Sequence, residues 1–155
     1  MKHINSCLIL LSSIFIACSS NSKENESGEK YSILVEFNDD RHYHNPEREK
    51  KRTERYLSKD SLYIFFETDY SYDTIDIKIN SIQNKTVYLT TDGAVGVADV
   101  AILGKIETID KIEIRKNYGK PLIIDLKDKS MNLWTVNFYL DTLRANRRKY
   151  LSWYE

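Results

Sequence analysis

From Tyr31 to Leu140 the chain is dominated by alternation of apolar and polar positions. Tyr31, Ile33, Val35 and Phe37 share one phase, with Ser32, Leu34 and Glu36 on the other. Leu62, Ile64 and Phe66 follow, backed by Tyr63 and Phe65. Ile75, Ile77 and Ile79 alternate with Asp76 and Lys78 without a break. Val87 and Leu89 repeat the period, as do Ile112 and Ile114, then Leu122, Ile124 and Leu126 after Pro121. Trp134, Val136, Phe138 and Leu140 close the series. A period of two places successive side chains on opposite faces of a strand. Ile, Val, Tyr and Phe suit a half-buried pleated surface. Turn chemistry separates the runs: Asn80 to Asn84, Asp92-Gly93, Asn117-Tyr118-Gly119 and Lys127 to Ser130. About seven to nine short strands with regular turns predict an all-β fold, an antiparallel β-sandwich.

Two stretches break this pattern. Asn38 to Lys59 is a long, highly charged interval. Pro46 to Leu57 can start a helix, because proline suits a first turn, and Glu47–Lys51 is a favourable i,i+4 pair. It carries almost no apolar stripe, so a solvated loop or surface helix is expected. Leu140 to Tyr150 holds Arg144, Arg147, Arg148 and Lys149, and reads as a helical turn or a twisted strand pair. Trp153 and Tyr154 are expected to cap one end of the core. Thr90 to Ala98 is the small-residue stretch, read as a hairpin turn leading into a narrow strand rather than a partner-binding loop.

The amino terminus changes the picture. Met1-Lys2-His3 precede an apolar run from Cys7 to Ala17, and a polar stretch follows Cys18. A basic start, a short apolar core and a small residue before the cut describe a secretory signal. The run falls short of the roughly 20 apolar residues that span a bilayer. Phe15-Ile16-Ala17-Cys18 resembles the lipobox of bacterial lipoproteins, with Phe15 in place of the usual leucine. The resemblance covers residues 1–18. It implies cleavage after Ala17, lipid on Cys18, and a membrane address in the bacterial cell envelope, the outer membrane first. The expected organisation is a signal peptide at 1–17, a lipidated tether at 18–30 and a β-sandwich domain at 31–155. Ser19 to Lys30 contains no apolar residue and cannot bury enough surface to order itself.

Composition then narrows the functions. Cys7 and Cys18 are the two cysteines of the chain, so the mature domain would hold no disulfide, cysteine nucleophile or cysteine-based zinc site. The chain has 23 basic and 23 acidic side chains, a balance that argues against nucleic acid as a partner. The basic clusters Arg48/Lys50/Lys51/Arg52/Arg55 and Arg144/Arg147/Arg148/Lys149 could meet lipid phosphates or an acidic partner; a solvated face is the expected role. After the signal, His42 and His44 are the remaining histidines. At i,i+2 they point one way from an extended segment, near Asp39, Asp40 and Glu47. No second cluster completes a coordination shell, so neither a metal nor a cofactor is expected.

The sequence contains no G-x-S-x-G elbow, H-E-x-x-H motif or glycine-rich phosphate loop, and no carboxylate pair stands out. A non-enzymatic role is expected. Tyr70 and Tyr72, flanked by Asp69 and Asp73, suggest an exposed aromatic loop able to stack on a glycan or enter a protein interface. The plainer role for the pair is packing over a sheet edge. Anchor and strand count together resemble small lipid-anchored β-sandwich domains of bacterial envelopes, immunoglobulin-like and transthyretin-like ones among them. That resemblance implies a protein-binding or assembly module with an envelope protein partner. The alternatives are a glycan- or ligand-binding surface lipoprotein and an envelope immunity protein against a toxin.

Overall fold

The structure, a computed structural model, describes residues 28–151. The signal peptide, Cys18, most of the tether, and Trp153 with Tyr154 lie outside the described residues. In chain order the elements are β1 (Ser32–Glu36), α1 (Pro46–Tyr56), β2 (Ser61–Phe66), β3 (Asp73–Ile79), β4 (Gln83–Leu89) and β5 (Asp99–Lys105). A short 3-10 turn at Ile106–Thr108 precedes β6 (Lys111–Lys116), β7 (Leu122–Asp125), β8 (Leu133–Tyr139) and β9 (Thr142–Arg148). Two sheets pack face to face as an all-β sandwich. One has the order β1-β9-β8-β2-β5 and the other β4-β3-β6-β7.

The period of two does what elementary geometry requires. Ile75, Ile77, Ile112, Ile114, Leu122 and Ile124 from the four-stranded sheet meet Leu62, Ile64, Phe66, Trp134, Val136 and Leu143 from the five-stranded one. Full burial of one such aliphatic side chain contributes about 1.5–3 kcal/mol, so this interior is the main source of stability. On the outer face of the four-stranded sheet, Asp76 sits opposite Arg115 and Lys78 opposite Glu113. Opposite charges at facing positions help to fix that register.

Strand direction was not legible in alternation, which sets faces and nothing more. The four-stranded sheet is antiparallel throughout. In the five-stranded sheet β1 runs parallel to β9, and β2 runs parallel to β8. Two strands lacked a clear sequence signal. In β5, Val100 and Ile102 put apolar side chains on the outer face as well, which erases alternation. In β9 only Leu143 and Ala145 face the core, between arginines and Asn146.

Several turns use left-handed backbone without glycine. Asn80 and Ser81, Asn117 and Tyr118, and Leu140 and Asp141 all have positive φ. Leu140–Asp141 joins β8 to β9 as a two-residue hairpin, the geometry in which Asn-Gly is usually found. Leu140 therefore ends the strand that alternation would have continued.

Candidate functional site

The charged interval from Asn38 to Lys59 is a strap laid across the outer face of the five-stranded sheet. That face carries Tyr63, Phe65 and Leu133, closed over by Leu57, Val97, Val100 and Leu151. Beside this apolar patch lies a polar network. The side chain of Asp39 is fully buried. Its carboxylate accepts from the Tyr43 hydroxyl at 2.6 Å, the Lys149 N–H at 2.7 Å, and both Arg148 and the Arg41 N–H at 3.2 Å. Arg148 also donates to Thr135 Oγ1 at 3.2 Å, and Arg41 donates to both oxygens of Glu67 at 3.0 and 3.3 Å.

The electrostatics follow from this crowding of donors. Burial pushes the Asp39 carboxyl up, but the Tyr43 hydroxyl, the two N–H groups and Arg148 outweigh it and hold the pKa below its ordinary value. Burial, joined by the adjacent Asp39 carboxylate, pushes the Tyr43 phenol up to about 12. Two carboxylates and two guanidiniums leave the network neutral. It is built to hold the strap, with every ionised group engaged.

Helix α1 rises from this base. Asn45 caps it, accepting from the Arg48 N–H at 3.1 Å, and Pro46 occupies its first turn. None of its residues is buried. Two hydrogen bonds fix it to the carboxyl-terminal side of the domain: Arg52 donates to the Leu151 carbonyl at 2.7 Å, and the Leu151 N–H donates to Thr53 Oγ1 at 2.7 Å. Lys50, Glu54, Leu57, Lys59, Asn132 and Tyr150 line a groove of about 310 Å³ along its flank. Of the solvated loop or surface helix expected here, the surface helix forms, and it stands on a fixed base.

His42 and His44 stand on this strap, both exposed, with their rings 5.7 Å apart edge to face. Among the described residues, no three His, Cys, Asp or Glu side chains are grouped to hold a metal ion. Asp39, one of the three carboxylates expected near the histidines, is turned inward to Tyr43 and Arg148.

Tyr70 and Tyr72 do not form a shared platform. Tyr70 is 3% exposed, packs edge to face on Phe66 and donates its hydroxyl to the Val136 carbonyl at 3.1 Å. Tyr72 is 90% exposed. The expectation of an exposed Tyr70 is corrected by the turn itself: Asp69 and Tyr72 take left-handed backbone, so the two rings leave the loop in opposite directions. The ring stack that a glycan would need is absent from this loop.

A second cluster escaped sequence reasoning. Lys116 occupies a core-phase position of β6, where Ile112 and Ile114 precede it, and is 3% exposed. Its ammonium lies 2.5 Å from Glu29 Oε2, 2.9 Å from Asp73 Oδ1, and 4.1 Å from the centre of the Phe138 ring. Asn117 Nδ2 donates to the same two carboxylates. Burial alone would lower the Lys116 pKa, yet Glu29 and Asp73 together raise it. Burial likewise pushes Asp73 up, while Lys116, the Ser71 N–H and Asn117 bring it below its ordinary value. The signal in the sequence was a lysine in phase with isoleucines. Glu29 docks three residues ahead of Ser32, so the domain begins earlier than composition indicated.

Among the described residues, no helix is long and apolar enough to cross a membrane. Comparison with family models and with curated proteins gives no match. An NMR structure of a protein from Eubacterium rectale superposes with a TM-score of 0.33 at 12% identity, covering 56% of this chain and 87% of that one.

Proposed function

We propose that this chain is a lipid-anchored envelope protein, held by acyl chains on Cys18 at the outer membrane, and that it acts as a non-enzymatic module that binds a protein partner through the strap and α1. One observation carries this reading: α1 buries no residue, yet it is capped by Asn45 and fixed to the domain by two long-range hydrogen bonds to Leu151. An isolated helix of this length is marginal in water, and an unburied one contributes little to the core. With the strap before it held by the Asp39 network, these bonds order a helix whose solvent side is available for recognition. Ordering before binding lowers the entropy cost of association.

The helix carries Arg48, Lys50, Lys51, Arg52 and Arg55 against Glu47, Glu49 and Glu54, with Tyr56 exposed at its end. This composition favours an acidic partner surface with an apolar contact for Tyr56. The glycan reading loses its main support with the burial of Tyr70.

The test is cross-linking in intact cells that make the full-length chain with a carboxyl-terminal tag. Discrete envelope protein capture is expected. It should be lost in a Lys51→Glu, Arg55→Glu variant whose circular dichroism and melting temperature are unchanged. Equal capture by that variant would refute the assignment to α1, and a chain without acyl mass on Cys18 would refute the anchor.

A further inference from the structure

The two ends of the sandwich differ in what they expose. One end carries the 67–72, 90–98, 117–121 and 140–141 connections. Tyr72, Val95, Tyr118, Tyr139 and Leu140 are all exposed there, from 43% to 90%. The other end carries Asp60, Glu107, Asp110, Lys127, Asp128 and Lys129 in its connections. Its exposed large apolar side chains are Ile82, Tyr56 at the foot of α1, and Phe37, which packs edge to face on Trp134.

Backbone cost sharpens the contrast. Tyr72, Tyr118 and Leu140 hold φ of 54°, 59° and 47°. Glycine or asparagine would take these positions more easily, and a bulky residue there is uncommon. Large side chains held against local preference point to a use for the side chains themselves.

The chain enters the domain at this same end. A Cβ on Gly28 would collide with the Tyr118 carbonyl, so the entering backbone lies directly on the 117–119 turn. The Glu29 N–H donates to the Asn117 carbonyl at 3.2 Å, and its carboxylate is held by Lys116. Ten peptide steps separate Gly28 from Cys18, which limits their separation to at most about 36 Å. The aromatic end is therefore the end nearest Cys18 along the chain.

We infer that this end of the sandwich is a bilayer-contact surface, seating Tyr72, Tyr118, Tyr139, Leu140 and Val95 in the interfacial region of the membrane. The inference rests on lipidation of Cys18. Tyrosine suits the headgroup level, where its ring meets acyl chains and its hydroxyl meets water. Exposed Lys30 and Lys120 stand against exposed Asp69, Asp92, Asp99 and Asp141, so the surface carries a small net negative charge and fits zwitterionic rather than anionic lipid. Contact at this end would orient α1 and its strap instead of leaving the domain to swing on its tether.

The test uses the full-length chain, purified with its lipid and placed in phosphatidylcholine vesicles that carry a nitroxide quencher just below the headgroups. A fluorophore is attached through Lys120→Cys in one sample and through Ile82→Cys in another. The seven residues of β3 separate the two ends by about 23 Å. Several-fold stronger quenching at 120 than at 82 is expected. Tyr72→Asn with Tyr118→Gly removes two rings while suiting the left-handed backbone, and should erase most of that difference. Intact mass measured on the same samples reports acylation. An acylated chain with equal, weak quenching at both positions overturns the inference and leaves the anchor standing. A chain without acyl mass overturns the anchor, and the inference with it.

Discussion

Replacing Lys116 by methionine should convert the Glu29–Asp73–Lys116 cluster from a stabilising feature into a destabilising one. The ammonium is 3% exposed, Asp73 8% and Glu29 31%. Removing one partner of a buried ion pair costs about 3–5 kcal/mol, because the other charge is left without compensation. Glu29 retains access to water, which places the expected loss near the lower end, about 3 kcal/mol. At about 3 °C per kcal/mol, the melting temperature should fall by about 10 °C. Urea unfolding at neutral pH measures the loss directly.

The pH dependence separates this cause from simple loss of packing. In the native cluster the folded Asp73 pKa lies below its ordinary 3.8, so its contribution is present above that value and lost as pH falls through the folded pKa. The folded Lys116 pKa lies above 10.5, so its contribution is present below 10.5 and lost as pH rises through the folded pKa. Between those limits the cluster contributes a nearly flat profile. Without the ammonium, burial should raise the folded Asp73 pKa above its unfolded value. Stability of the variant should then increase as pH falls from about 7 to about 4.5, opposite in sign to acid destabilisation. Adding Asp73→Asn should recover part of the loss and flatten the profile. A Lys116→Met variant that loses less than about 1 kcal/mol with an unchanged pH profile would refute the reasoning.

Leu140→Asn should stabilise the domain by about 1 kcal/mol by relieving left-handed backbone strain at an exposed position, seen as a higher urea midpoint. Gly119→Ala should cost about 2 kcal/mol, since its Cβ would enter the space of the Glu29 carbonyl and the Tyr31 ring; thermal melting checks this. Asp39→Ala should loosen the strap, raising hydrogen exchange and protease cleavage across residues 38–57 while the sheets keep their protection. In the same variant the Tyr43 phenol should titrate below about 12, since the Asp39 carboxylate no longer adds to the effect of burial, and ultraviolet titration of the tyrosines would detect the fall.

The strands that were legible are those with one buried and one wet face. β3 and β6 alternate faithfully because water bathes Asp76, Lys78, Glu113 and Arg115. β2 was legible as a strand, but its second apolar face, Tyr63 and Phe65, gave no hint of the strap that covers it. β5 was lost because Val100 and Ile102 fill the phase that would otherwise be polar, Val100 packed beside Tyr63 and Phe65 and Ile102 left exposed. The Asp39 network joins residues far apart in sequence, with Asp39 and Arg148 meeting across nearly the whole domain. No local pattern encodes such a meeting. Tyr70 and Tyr72 show the limit most plainly. Their spacing suggested one shared surface, and two left-handed residues in the loop sent one ring into the core and the other into water.

The parallel pairing of β1 with β9 has a consequence for how the chain is made. Of the described strands, β1 leaves the ribosome first and has β9, made last, as its neighbour in the sheet, and β2 likewise pairs with β8. The five-stranded sheet cannot close until residues near 148 are available, so completion of the domain waits for β9. Until then β1 and one edge of β2 stay unpaired, which leaves them open to pairing with another chain while synthesis continues.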